Sequence, residues 1–66
     1  MQVIVNGMPQ PLPEGTTVAQ LLEQMALAGK RVAVERNGEI VPRSMHPQAS
    51  LADGDRLEIV VAVGGG

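Results

Sequence analysis

The sequence predicts an α+β domain in which a β-sheet packs on one main helix. Three observations carry this prediction: β-branched runs near both ends of the chain, a capped amphipathic stretch between them, and two Asn-Gly dipeptides typical of tight turns between strands. The helix and the sheet must share one core, because 66 residues suffice for a single domain. We expect this domain to span residues 1–63.

The first predicted element is a β-hairpin. Residues 2–5 form a short β-branched run that ends at Asn6-Gly7, and asparagine and glycine both tolerate the positive φ angles of a two-residue turn. The return strand falls around residues 8–12. Its prolines lack an amide donor, so this strand must lie at a sheet edge or be irregular.

One amphipathic helix is predicted to begin after Thr17. Thr17 and Gln20 have the spacing of a capping box, in which each side chain accepts a hydrogen bond from the backbone of the other residue. The apolar positions then recur with helical spacing and define one buried face: Val18, Leu21, Leu22 and Met25. Gly29 fits the left-handed position that ends a helix, which places the helix end near Ala28.

The second half of the chain reads as three strands and a loop. Residues 31–36 alternate like a strand, Asn37-Gly38 predicts a turn into the short run 39–41, and residues 43–50 have no sustained period, so we expect a loop with one helical turn. The last strand covers residues 56–63. Its alternation directs one apolar row toward the core: Leu57, Ile59, Val61 and Val63.

Composition excludes several kinds of function. The chain has no Cys and no aromatic residue, and its net charge is −2, which removes thiolate sites, stacking platforms for nucleic acid and the positive charge that binds phosphate backbones. No apolar run has the roughly 20 residues of a membrane span. We therefore expect a cytoplasmic protein that binds neither nucleic acid nor membrane.

The ionisable residues give little indication of a catalytic or metal site. His46 has no second His or Cys as a partner and is expected at the surface, while Asp53 and Asp55 flank Gly54 in a pattern that indicates a turn. No metal ligand set and no catalytic residue is predicted. The isolated charges that could face a partner are expected to be solvated surface groups: Arg36, Arg43, Arg56 and Glu58.

Two features remain as candidate functional sites. Gly64, Gly65 and Gly66 follow the last strand without a spacer and form a predicted flexible tail, although a loose glycine-rich end would look the same. Val60 and Ala62 are apolar on the predicted solvent face and form a possible partner-binding surface, although scattered exposed apolar residues are ordinary. Ala33 and Ile4 would extend this surface if their strands neighbour the last one.

Residues 34–43, 51–55, 58–60 and 63–66 together carry a resemblance that covers the whole chain. In these segments the sequence is similar to the ubiquitin-like β-grasp family of sulfur carriers, most closely to its thiamine-biosynthesis branch. The resemblance implies a β-grasp fold with a mixed sheet of four to five strands. It also implies a protein that performs no catalysis itself and is passed between enzymes.

The resemblance further implies how such a carrier works. Gly66 would be adenylated by an E1-like, ATP-dependent activating enzyme and converted to a thiocarboxylate, with Gly64 and Gly65 inserted into the partner sites. A sulfur donor such as a cysteine desulfurase would supply the sulfur, and thiazole synthase would accept it for the thiazole ring. No cofactor would be bound by the carrier, since ATP is used by the activating partner.

Three other functions stay open at this point. A carrier that supplies sulfur for molybdopterin or another thiolation pathway would share the di-glycine end. A non-covalent β-grasp interaction module would not need the tail chemistry. A free-standing enzyme is disfavoured, because the sequence lacks a convergent set of nucleophile, base and orienting residue.

Overall fold

The structure is a computed structural model that describes residues 1–62. Its strands are β1 (Gln2–Val5), β2 (Met8–Pro11), β3 (Val32–Arg36), β4 (Glu39–Ile40) and β5 (Arg56–Val61), and its helical elements are α1 (Val18–Gln24) and a 3₁₀ turn (Arg43–Met45). The sheet order is β2-β1-β5-β3-β4. β1 runs parallel to β5 and the other neighbours are antiparallel, so the predicted α+β architecture with a mixed sheet on one helix is confirmed.

Both Asn-Gly dipeptides form the predicted hairpin turns. Asn6 and Gly7 have φ angles of 49° and 84°, and Asn37 and Gly38 have 52° and 86°, which are the paired positive values of a type I′ turn. β2 lies at one edge of the sheet, where its prolines break no pairing with a further strand. The turn residues therefore set the register of both hairpins.

Helix α1 begins as predicted. The Thr17 amide donates to Gln20 Oε1 at 2.9 Å, and the Gln20 amide donates to Thr17 Oγ1 at 3.2 Å. The loop after the 3₁₀ turn satisfies two further amides of the first turn, because Val18 donates to the Ala49 carbonyl and Ala19 to the His46 carbonyl, both at 3.0 Å. The helix start and this loop thus hold each other in place.

Helix α1 ends earlier than the sequence predicted. Its last residue is Gln24, and Ala26 adopts the left-handed conformation with a φ of 59°. The Ala26 amide donates to the Glu23 carbonyl at 3.0 Å and the Leu27 amide to the Leu22 carbonyl at 2.8 Å, which is a Schellman motif. The expected end near Ala28 was wrong, because Ala26 ends the helix and Gly29 serves in the next turn instead.

The core lies between α1 and one face of the sheet. Its fully buried side chains come from the strands and from the helix: Val3, Val18, Leu21, Val34 and Leu57. Met25 is half-buried and packs against this core, as the helical stripe predicted. Among the described residues, no helix has both the length and the apolar character needed to cross a membrane.

The predicted apolar row of β5 is only partly buried. Leu57 is 2% exposed and Ile59 is 6% exposed, whereas Val61 is 39% exposed. The seven-residue helix is about 10 Å long and cannot cover the whole of the six-residue strand, which is about 20 Å long. Val61 thus lies on the predicted face, where it pairs with Val32, but beyond the cover of the helix, so the expectation that it is part of the buried core was wrong, and Val63 lies outside the described residues.

Candidate functional site

The candidate site is the end of β5, from which the glycine tail continues. β5 is flanked by β1 on one side and by β3 on the other, and its pairing with β3 runs from Arg36↔Leu57 to Val32↔Val61. Beyond the strand, the Ala62 amide still donates to the Arg31 carbonyl at 2.9 Å. The backbone is therefore attached to the sheet up to the last described residue.

The three predicted tail residues lie outside the part of the chain that the structure describes. Gly64, Gly65 and Gly66 begin two positions after Ala62 in the sequence. The boundary predicted at residue 63 and the predicted flexibility of the tail therefore stay predictions. The structure does describe β5 and Ala62, which precede the tail.

On the β1 side, Asn6 secures β5 through its side chain. The Ile59 amide donates to Asn6 Oδ1 at 2.8 Å, and Asn6 Nδ2 donates to the Ile59 carbonyl at 3.1 Å. The Asn6 amide also donates to the Leu57 carbonyl at 2.9 Å. Although β1 has ended at Val5, the asparagine side chain thus continues its hydrogen bonding along β5.

On the β3 side, Asn37 plays a matching part at the start of β5. Its backbone amide donates to the Arg56 carbonyl at 2.8 Å, and the Arg56 amide donates to Asn37 Oδ1 at 3.0 Å. The two turn asparagines therefore bind β5 from opposite sides. The sequence indicated both turns, but nothing in the Asn-Gly pattern reveals which distant strand each side chain would bind.

An ion pair between the buried Asp55 and the half-buried Arg36 fixes the residue just before β5. Asp55 is 7% exposed, and its carboxylate accepts hydrogen bonds from Arg36 Nε at 2.9 Å, the Ala52 amide at 2.8 Å and Asn37 Nδ2 at 3.1 Å. Burial raises the pKa of Asp55, but these hydrogen bonds and the Arg36 charge outweigh it and leave the pKa below its usual value.

This ion pair corrects one prediction and refines another. Arg36 was expected to be a solvated surface charge, and this was wrong because the β3–β5 register carries it to Asp55. The turn predicted around Gly54 exists, and Asp55 contributes to it by accepting from Ala52. Asp53 instead accepts from the Gln2 amide at 2.7 Å, which ties this turn to β1.

The predicted partner-binding residues Val60 and Ala62 are both exposed. Val60 is 60% exposed and pairs directly with Ala33, which is also exposed, so Ala33 extends this surface as the sequence suggested. Ile4 does not join it, because Ile4 pairs with Arg56, four residues or about 13 Å along β5 from Val60. We call Ala33, Val60 and Ala62 the outer patch.

The expectation that His46 lies at the surface was wrong. Its side chain is 6% exposed, and its Nε2 lies 3.1 Å from the Val41 carbonyl oxygen. A carbonyl only accepts, so Nε2 carries the proton in this contact. Between residues 1 and 62, no group of His, Cys, Asp or Glu side chains is arranged to hold a metal ion.

Comparison with known sequences gives one family over nearly the whole chain. The model of the ThiS family matches residues 3–66. The sulfur carrier protein ThiS of Thermus thermophilus is 42% identical over 64 residues, which cover 97% of this chain and 98% of that protein. A protein of Paramagnetospirillum magneticum named thiazole synthase is 44% identical over all 66 residues, and the chain spans 20% of its length.

Comparison with solved structures agrees with the fold. The crystal structure of the thiamine biosynthesis protein ThiS from Geobacter metallireducens is similar with a TM-score of 0.83 and 35% sequence identity, and the match covers 100% of both chains. The five-stranded mixed sheet with one helix superposes on this neighbour over the whole chain, which confirms the predicted β-grasp fold. The chain therefore belongs to the ThiS family.

Proposed function

We propose that this chain is a sulfur carrier of thiamine biosynthesis whose reacting group is the carboxylate of Gly66. The observation that carries the proposal is the attachment of β5, which is held on both sides and leads into the glycine tail after Ala62. The sheet therefore holds the backbone from which the last residues continue, up to Ala62. Membership of the ThiS family supports the same function.

The chemistry requires activation of the Gly66 carboxylate. An α-carboxyl group has a pKa of about 3.5, so at neutral pH it is an anion that resists attack by a sulfur nucleophile. Attack of this carboxylate on ATP forms an acyl adenylate and releases pyrophosphate. A persulfide sulfur then displaces AMP, and cleavage of the sulfur–sulfur bond by a thiol leaves the thiocarboxylate on Gly66.

Glycine suits such a tail for steric reasons. Without a Cβ atom, Gly64 and Gly65 form a thin backbone that can enter a narrow partner site. Three extended residues reach roughly 10 Å. The reacting carbonyl can therefore enter an active site while the domain itself stays outside.

The proposed partners follow from this chemistry. An E1-like adenylating enzyme would provide the ATP site, and a sulfur donor such as a cysteine desulfurase would provide the persulfide. Thiazole synthase would accept the sulfur, which is supported by the protein of that name that contains a segment similar to this whole chain. The carrier itself would perform no catalysis and bind no cofactor.

The outer patch is the proposed docking surface for these enzymes. Val60 and Ala33 are paired and exposed, and Ala62 lies at the base of the tail. Burial of apolar side chains at this position would hold the domain while the tail enters the partner. The patch is small, so its contribution is to orient the carrier rather than to bind it permanently.

Genetic complementation tests the proposed pathway. We expect the wild-type chain to restore growth of a bacterium that lacks its own thiamine sulfur carrier, and a chain without Gly66 to fail while unfolding at the same urea concentration. A strain that lacks the molybdopterin carrier is the parallel host. Growth of only that second host, or growth supported by the chain without Gly66, would contradict the proposal.

A further inference from the structure

A groove of about 320 Å³ lies between α1, the loop before β3 and the segment after the 3₁₀ turn. Its lining is largely apolar and includes Leu22, Leu27, Val32 and Pro47. Leu22 belongs to the core, and Leu27 and Val32 are half-buried against it. The floor of the groove is thus fixed by the fold and is separated from the outer patch by the sheet.

The rim of the groove is positively charged although the chain as a whole is acidic. Lys30 and Arg43 line it together with one carboxylate, Glu23, whereas the net charge of the protein is −2. Within residues 1–62, the salt bridges are those of Asp55 and of the N-terminal amine, so neither cation forms a salt bridge with another of these residues. This rim is therefore complementary to an acidic ligand.

His46 adds a polar group to the apolar lining. Its ring is 6% exposed, and Nε2 is used by the Val41 carbonyl, so in the neutral imidazole Nδ1 is a hydrogen-bond acceptor. No partner of Nδ1 exists among the described residues. Among the described residues no fully buried side-chain nitrogen lacks a partner, and His46 is one of the residues that line this groove.

We propose that this groove binds a segment of a partner protein that carries an aliphatic side chain between carboxylates. The aliphatic side chain packs against Leu27 and Val32 on the floor of the groove. A peptide N–H of the segment donates to His46 Nδ1, and the carboxylates lie against Lys30 and Arg43. A peptide supplies all three groups together, which a small anion or a purely apolar ligand does not.

The groove lies close to the base of the tail. Val32, which lines the groove, pairs with Val61, and the Arg31 carbonyl accepts from the Ala62 amide. The groove is therefore next to the end of β5. The inference concerns a binding surface and does not depend on the chemistry proposed for Gly66.

Amide chemical shifts test the proposal directly. The probe is a blocked pentapeptide with leucine between two glutamates, compared with the same peptide carrying glutamines. We expect the glutamate peptide to shift the amides of Leu27, Lys30, Val32 and His46. The double variant K30E/R43E should bind it about tenfold more weakly, because the attraction of its rim becomes repulsion. R56E reverses one exposed cation at the other end of β5 and is the matched control for K30E and R43E made singly, because each of the three variants changes the net charge equally; R56E should bind like wild type and the other two more weakly.

Two results would overturn the proposal. One is the absence of shifts at the groove residues up to millimolar peptide. The other is a loss of charge dependence, seen as equal binding of the glutamate and glutamine peptides together with equal binding by K30E, R43E and R56E. Sulfur transfer to Gly66, measured on the same variants, is a separate readout, so either result would leave the proposed function standing.

Discussion

Asn6 and Ile59 lie 53 residues apart in the sequence and exchange two hydrogen bonds, at 2.8 and 3.1 Å, between the Asn6 side-chain amide and the backbone N–H and C=O of Ile59. Through this contact, the turn that joins β1 to β2 binds β5, the strand that precedes the glycine tail. Asn37 forms an equivalent contact at Arg56 from the opposite side. Two asparagines that also form tight turns therefore hold β5, one at its start and one at its middle.

Replacing Asn6 by glycine should loosen β5 without disturbing the turn. Glycine accepts the positive φ at this position, so the variant loses mainly the two hydrogen bonds to Ile59, at a cost of about 1 kcal/mol. We expect faster hydrogen exchange of the Ile59 amide and a lower urea midpoint. N6A should cost more, since alanine adds strain in the left-handed region. An unchanged exchange rate at Ile59 in N6G would refute this role of Asn6.

Replacing Ala26 by glycine should stabilise the protein. Ala26 has a φ of 59° at the end of α1, where a residue with a Cβ atom is strained, and glycine removes a cost of about 1 kcal/mol. The matched control is Ala28→Gly, because Ala28 is exposed and is not among the residues with positive φ. Thermal unfolding should show a higher midpoint for A26G and an unchanged or lower one for A28G. A lower midpoint for A26G would contradict the assigned helix end.

The ion pair between Asp55 and Arg36 should make the free energy of unfolding depend on pH in the acid range. The pKa of Asp55 in the folded protein is below its usual value of 3.8, so its contribution is complete above that value and is lost as pH falls through the lower, folded pKa. Urea unfolding should therefore show wild type to be more stable than Asp55→Asn at pH 6. The difference should shrink steadily below about pH 4. A difference that stays constant down to pH 2 would exclude this ion pair as its source.

Replacing Val60 by aspartate should weaken binding of the carrier to its partner enzymes while the domain stays folded. Val60 is 60% exposed, so the change should alter the free energy of unfolding by no more than about 0.5 kcal/mol. Loss of a central apolar contact in a small interface should slow adenylation about tenfold at limiting carrier concentration. Met8→Asp is the matched control, since Met8 is 68% exposed on the edge strand β2. Equal slowing by both variants would remove the case for the outer patch.

Local patterns in the sequence predicted much of the fold. The capping box of Thr17 and Gln20 spans four residues, and each Asn-Gly turn is contained in its dipeptide, so both could be predicted without knowledge of the sheet. The early end of α1 was missed because alanine rarely occupies the left-handed position that Ala26 adopts. Gly29, which usually gives this signal, lies three residues later.

The contacts that position the candidate site could not be predicted from local sequence patterns. The pairing of Arg36 with Asp55 requires the register between β3 and β5, and the burial of His46 depends on how the loop after the 3₁₀ turn packs on α1. Val60 and Ala62 could be placed on the outer face because strand alternation alone decides it. The role of Gly66 follows from the family resemblance and remains a prediction.

The central claim is that Gly66 becomes a thiocarboxylate, and intact mass spectrometry with fragmentation of the C-terminal peptide tests it most directly. The chain would be incubated with ATP, an E1-like activating enzyme, a cysteine desulfurase, cysteine and a reducing thiol, with the chain lacking Gly66 as the control. We predict replacement of one oxygen by sulfur at Gly66, with an acyl adenylate when the sulfur donor is omitted. Active partner enzymes that convert their own carrier but yield neither product on this chain would contradict the account.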